Sequence, residues 1–119
     1  MKWALVGILS LHGLIHLMGF LKTWDIVEVK ALSNQTSIPL AGAPLRLFGL
    51  MWLVVCAAFL LAGALLALGS GAWLPAALVA VALSQTVIVL WWNDARAGSV
   101  PNLIILITIV WLLIANTRA

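Results

Sequence analysis

Charge is confined to short intervals of this chain, and each stretch between them is long enough to cross a bilayer. Residues 3–21, 45–68, 73–92 and 100–115 carry almost no charge. A helix needs about 20 apolar residues to span a hydrocarbon core roughly 30 Å thick. The predicted fold class is therefore all-α: an integral membrane four-helix bundle with those four spans, residues 1–119 forming a single domain.

Composition closes off the soluble alternatives. The chain is 66% hydrophobic and 8% charged, against about 45–50% and about 25% in a soluble domain. A water-facing surface cannot be built from so few charges, and no room is left for a soluble catalytic domain. The net charge of +3 is no nucleic-acid signal. Lys2, Lys22, Lys30, Arg46, Arg96 and Arg118 are scattered, each at or near a span end, where basic residues anchor and orient a membrane protein. The partner implied is the lipid bilayer. Cys56 is the lone cysteine, so no internal disulfide can form, and it reads as a small core residue. Met1-Lys2 ahead of an apolar run has the look of a signal peptide. The run is long, is broken by His12 and His16, and reaches Lys22 without a small-residue cleavage site, so it reads as a retained span.

The links between spans are long, short and short. Past Lys22 the spacing of Trp24, Val27 and Ala31, with Asp25 and Glu28 on another face, predicts a helical extension of span 1 or an interfacial helix through residue 32. Residues 33–39 are polar and end in Pro39, which predicts a loop. Pro44 falls where a first helical turn tolerates its missing N–H. Gly69-Ser70-Gly71 predicts a tight reversal and an antiparallel hairpin of spans 2 and 3. Ser99 is the expected N-cap of span 4, with Pro101 in its first turn. The side holding the first and third links carries Lys22, Lys30, Arg46 and Arg96. The other side carries Lys2 and Arg118. That bias predicts both termini outside the cytoplasm.

Five of the seven tryptophans sit near span ends, the pattern of an aromatic belt at the headgroups; Trp52 and Trp111 lie one to two turns inside. Helices in lipid associate through small residues that let backbones approach. Ala76, Ala80 and Ser84 on span 3, facing Ala58, Ala62, Gly63 and Ala67 on span 2, predict close packing of that pair.

The candidate site residues are polar groups in an apolar medium. His12 and His16 lie four apart on one face of span 1, and an ionisable residue inside a membrane is a functional hypothesis by default. Imidazole ligates metals and haem iron. Two histidines on one helix cannot clamp a haem from both faces, and a metal needs at least one further ligand. A metal site is open only through His12 and His16. The competing reading is neutral histidine hydrogen-bonded across helices. Ser84, Gln85 and Thr86 on span 3 are the expected partners, either as interhelical glue or as the polar floor of a pocket for a quinone, lipid or other small molecule. A second group, Arg46, Asp94, Arg96 and Asn102, reads as a charge cluster at the link between spans 3 and 4. Asp94 is there expected to pair with Arg96 or Arg46, a pairing that is no catalytic signature. No paired carboxylates, Ser–His–Asp order or glycine-rich phosphate loop is present, so no catalytic residues are assigned.

Three pieces taken in order resemble one family. They are His12-Gly13-Leu14-Ile15-His16-Leu17-Met18-Gly19-Phe20-Leu21-Lys22, then Pro44-Leu45-Arg46-Leu47-Phe48-Gly49-Leu50-Met51-Trp52-Leu53, then Ser84-Gln85 through Asp94-Ala95-Arg96-Ala97-Gly98 and Pro101-Asn102-Leu103-Ile104. The chain resembles a set of uncharacterised bacterial four-helix membrane proteins, many of which continue into a soluble domain; this sequence stops at Ala119. A looser similarity is to the small DoxX-like membrane proteins. The resemblance implies the four-helix architecture and a bacterial inner membrane, and implies no activity or cofactor.

The expected function is that of a small membrane protein without an active site, serving as an accessory or scaffold subunit or holding a hydrophobic ligand. It would act alone, with a second copy, or within a larger membrane complex. The rival from another class is a redox subunit binding haem, metal or quinone through His12 and His16. A small transporter is the third reading, disfavoured because all three acidic residues lie in or near links rather than within spans.

Overall fold

The computed structural model describes residues 2–28 and 36–118, with side chains as far as residue 115. The elements in order are α1 (Lys2–Thr23), α2 (Gly42–Ala67), α3 (Trp73–Leu90), a single helical turn α4 (Trp92–Ala95), a 3-10 turn (Arg96–Gly98) and α5 (Ser99–Arg118). No strand occurs among the described residues. Four helices are long and apolar enough to cross a membrane, the last running from Trp92 to Ala115. They form an elongated all-α fold of 52 × 22 × 21 Å. The observed ends of the long helices fall within three residues of the predicted spans.

Two helix ends share one device. After α2, Gly69 takes a positive φ of 77°. Its N–H reaches Leu66 O at 3.1 Å while Ser70 N–H reaches Leu65 O at 2.9 Å. This crossed pair of bonds, closed by a left-handed residue, is the Schellman termination. The reversal turns α2 into α3, as the glycines predicted. At the end of α1 the same geometry is built on Asp25, with φ 54°, Asp25 N–H to Lys22 O at 3.1 Å and Ile26 N–H to Leu21 O at 2.9 Å. The predicted helix past Lys22, extension or interfacial, is therefore corrected over its described part: α1 stops at Thr23, and residues 24–28 form a turn and a bend. Asp tolerates the left-handed region better than most residues, but nothing in its spacing announces it. Residues 29–32 of that prediction, with Lys30, and residues 33–35 of the loop lie outside the described residues.

The first link then crosses to another helix. Ser37 donates its N–H to Leu90 O at 2.7 Å and its hydroxyl to Val89 O at 2.6 Å. The terminal carbonyls of α3 have no intrahelical donors, so a distant serine satisfies two of them.

The most extensive packing joins α1 to α2, followed by α2 to α3. Leu5, Leu9, Phe59, Ala62, Ala77, Ala80 and Val87 of these helices, with Ile105 of α5, are fully buried in the common core. Ala62 and Ala80 lie inside it, as the small-residue stripes required. Gly63 departs from the prediction. An added Cβ there would meet Ser10 Oγ at 3.1 Å and Val6 O at 3.7 Å, so Gly63 serves α1 rather than α3. Gly13 of α1 answers it: a Cβ would lie 2.9 Å from Phe59 Cβ and 3.2 Å from Cys56 O. Gly19 backs directly onto the Trp52 ring. Close approach of α1 and α2 through these glycines brings the two histidines against α2.

Candidate functional site

His12 and His16 occupy the inner face of α1, only 4% and 2% exposed. Phe59 and Trp52 of α2 wall them in. His12 stands edge-on to His16, with ring centres 4.5 Å apart, and 4.9 Å from Phe59. His16 lies 5.4 Å from Trp52. Aromatic edges and faces pair favourably at such separations.

From this pair a hydrogen-bonded network crosses to α3 and α5. His16 Nδ1 is 2.8 Å from His12 O, and its Nε2 is 2.8 Å from Ser84 Oγ. His12 Nε2 is 2.8 Å from Asn102 Oδ1. The Asn102 amide donates to Ser84 Oγ at 3.0 Å and to Gln85 Oε1 at 3.1 Å. Gln85 Nε2 donates to Ser99 Oγ at 3.1 Å. Burial in an apolar medium favours such pairing, because an unpaired polar group there is costly.

The direction of each bond follows from what each atom can do. A carbonyl only accepts, so His16 carries its proton on Nδ1. Its Nε2 then accepts from the Ser84 hydroxyl. Ser84 Oγ is left to accept from Asn102, and both Asn102 protons are used on Ser84 and Gln85. Asn102 Oδ1 can only accept, so His12 carries its proton on Nε2. With Asn102 and Gln85 flipped, Ser84 would owe one proton to two acceptors, and a bond would be lost. With both rings neutral, this pattern leaves His12 Nδ1 without a proton. It is buried and has no hydrogen-bond partner.

A cavity of about 230 Å³ is walled by His12, His16, Gly19, Trp52, Ile88 and Gly98. Ile15 and Met18, both exposed on the outer side of α1, form its lateral rim, and Asp94 and Ala95 close the end near the third link. Trp52, 5% exposed, likewise carries a buried ring N–H without a partner. The walls are otherwise apolar.

The predicted residues divide unevenly. His12, His16, Ser84 and Gln85 come together, although Gln85 reaches the histidines only through Asn102. Thr86 does not join them; it faces outward and donates to Ala82 O of its own helix at 2.9 Å. Asn102 is a correction. Assigned by sequence to the link cluster, it is 2% exposed and central to the network. It lies on the inner face of α5, one turn past the helix start, and the apolar medium draws its amide inward. Ser99 is a second correction. It continues the 3-10 turn into α5 with right-handed helical torsions, and its hydroxyl serves Gln85 instead of capping. Arg96 is exposed. Arg46 sits over the Trp24 ring at 5.9 Å, and Trp24 Nε1 donates to Arg46 O at 2.9 Å. Trp91, expected in a headgroup belt, is 1% exposed and packs on Trp52 at 5.4 Å.

The two histidines do not converge on a common point, because three of their four ring nitrogens are engaged. Among the described residues no group of three or more His, Cys, Asp or Glu side chains could hold a metal ion. No family model, curated protein or solved structure matches the chain.

Proposed function

We propose that this chain is a membrane-embedded holder of a small lipid-soluble molecule, bound in the cavity beside His12. One observation carries the reading: an apolar cavity within a helix bundle whose walls include His12 and Trp52, two buried side chains each holding a ring nitrogen that no protein group satisfies. Buried polar atoms in a folded protein are nearly always paired. Apolar pockets with a few directed polar groups are the usual form of small-molecule sites. The holder needs no catalytic residue, and its rigid network fixes the histidine ring against which the ligand rests. The bilayer is both its solvent and the reservoir of ligand. The resemblance carried by the sequence favours a bacterial inner membrane, and the loop charges favour both termini outside the cytoplasm.

Purification in a mild detergent, followed by mass analysis of extracted small molecules and a visible spectrum, tests the proposal. A lipid-soluble compound is expected at roughly one per chain, and Gly98→Leu is expected to lose it. That side chain would start 3.0 Å from Ile88 Cδ1 and 3.9 Å from His12 Cε1, inside the cavity. A haem spectrum would favour the redox-subunit reading instead. Extracts indistinguishable between the wild type and Gly98→Leu would overturn the site.

A further inference from the structure

We infer that the chain binds a zwitterionic phospholipid bearing an ethanolamine headgroup where the end of α1 meets the start of α2, a site separate from the cavity walled by His12. The lipid phosphate is held by Arg46 and its ammonium by Asp25. These two residues share a second cavity, of about 280 Å³, with Thr23, Gly42, Ala43 and Leu45. Both are exposed, so each charge is open to a ligand. Among the described residues they form no ion pair, with each other or with any other group. The charges next to them do pair: Lys22 Nζ lies 3.7 Å from Glu28 Oε1. One cation and one anion are left unspent in one cavity. Their positions are set by the backbone. Asp25 is the left-handed residue that ends α1, fixed by its N–H to Lys22 O and by the Ile26 N–H to Leu21 O. Trp24 beside it donates its ring N–H to Arg46 O at 2.9 Å and underlies the guanidinium at 5.9 Å.

Opposite charges that share a cavity without pairing suit a ligand that carries both signs. Arginine matches phosphate oxygens with its planar fork of donors. A carboxylate accepts hydrogen bonds from a primary ammonium, which has three N–H donors. A choline head has no N–H to give, and a glycerol head brings no cation to Asp25. The surroundings select a lipid over a free phosphoester. Ala43 and Arg46 also border an open groove lined by Leu47, Phe48 and Leu50 of α2, all three exposed. This groove continues from the start of α2 into the span, the course of an acyl chain below its headgroup. Trp24 and Arg46 stand at span ends, where aromatic and basic side chains meet the headgroup layer.

The test is native mass spectrometry of the full chain in detergent, titrated with matched dioleoyl phospholipids bearing ethanolamine, choline or glycerol headgroups. The ethanolamine lipid should bind about 2- to 5-fold more tightly than either of the others, the equilibrium equivalent of one exposed ion pair. Asp25→Asn should bring it close to the other two, and Asn keeps the tolerance of left-handed backbone that ends α1. Arg46→Gln should weaken all three lipids. Gly98→Leu, which fills the cavity walled by His12, should leave the ranking unchanged. Equal binding of the three lipids by the wild type, or tightest binding of the glycerol lipid, would overturn the inference with no variant needed. An ethanolamine preference that survives Asp25→Asn, or that disappears in Gly98→Leu, would move the lipid to another part of the chain and overturn the site.

Discussion

Replacing Asn102 by Leu is the sharpest perturbation of this fold. The substitution keeps a side chain of similar size and removes three hydrogen bonds at once, those to His12, Ser84 and Gln85. Interhelical side-chain bonds within a bilayer average about 0.6 kcal/mol and reach about 1.7 kcal/mol. Three of them set an expected loss of about 2 kcal/mol, with a ceiling near 5 kcal/mol. The upper part of that range applies if His12 Nε2–H and Gln85 Oε1 find no replacement partners, since orphaned buried groups carry their full desolvation cost. Reversible unfolding in mixed micelles, followed by helicity, measures the loss. Thr108→Val is the control on the same helix. Its hydroxyl is exposed and donates to its own backbone, Ile104 O, at 2.8 Å, so a change near zero is expected. A cycle pairing Asn102→Leu with His12→Phe should be non-additive by about 0.6–1.7 kcal/mol. An Asn102→Leu protein within about 0.5 kcal/mol of wild type, or no worse than Thr108→Val, would refute the view that this network joins α1, α3 and α5.

Further outcomes follow from the packing and the proton positions. Gly19→Ala should destabilise by about 1–3 kcal/mol, because the new methyl overlaps the Trp52 ring; Gly7→Ala, with nothing within 4 Å of its new Cβ, should be neutral or slightly stabilising in the same unfolding assay. Ala80→Leu should separate α2 from α3 and lower the thermal midpoint in detergent, since Ala80 is fully buried; an unchanged midpoint would mean that this face looks at lipid. Nitrogen spectra of labelled histidine should show one ring protonated at Nε2 and the other at Nδ1, and two rings of the same tautomer would contradict the bond directions of the network. Reporter fusions at residue 119 should be active outside the cytoplasm; activity confined to the cytoplasm would reverse the orientation.

What the residue pattern conveyed depended on which physical signal each feature leaves. Span lengths were legible because the bilayer demands long uninterrupted apolar runs, and the α2–α3 reversal was legible because Gly69 suits a left-handed residue. The end of α1 was not, because Asp25 adopts that conformation without the residue type that advertises it. The inward turn of His12 and His16 followed from the cost of exposing imidazole to lipid. Asn102 was hidden by its neighbours: it lies beside charged link residues, and only helix rotation separates its inner face from their outer one. The α1–α2 contact left a weak signal for a related reason. Gly13 and Gly19 are single glycines in a leucine-rich span, and their role appears only when Phe59 and Trp52 are set opposite them.

Ser37 has a consequence for the order in which the chain is built. It sits between α1 and α2, yet the carbonyls it satisfies belong to Val89 and Leu90 at the far end of α3. During synthesis from the N-terminus those carbonyls do not exist when Ser37 emerges, so α2 and all of α3 must be made before the clasp can close. Fastening the first link therefore ties a segment made early to the end of a helix made later.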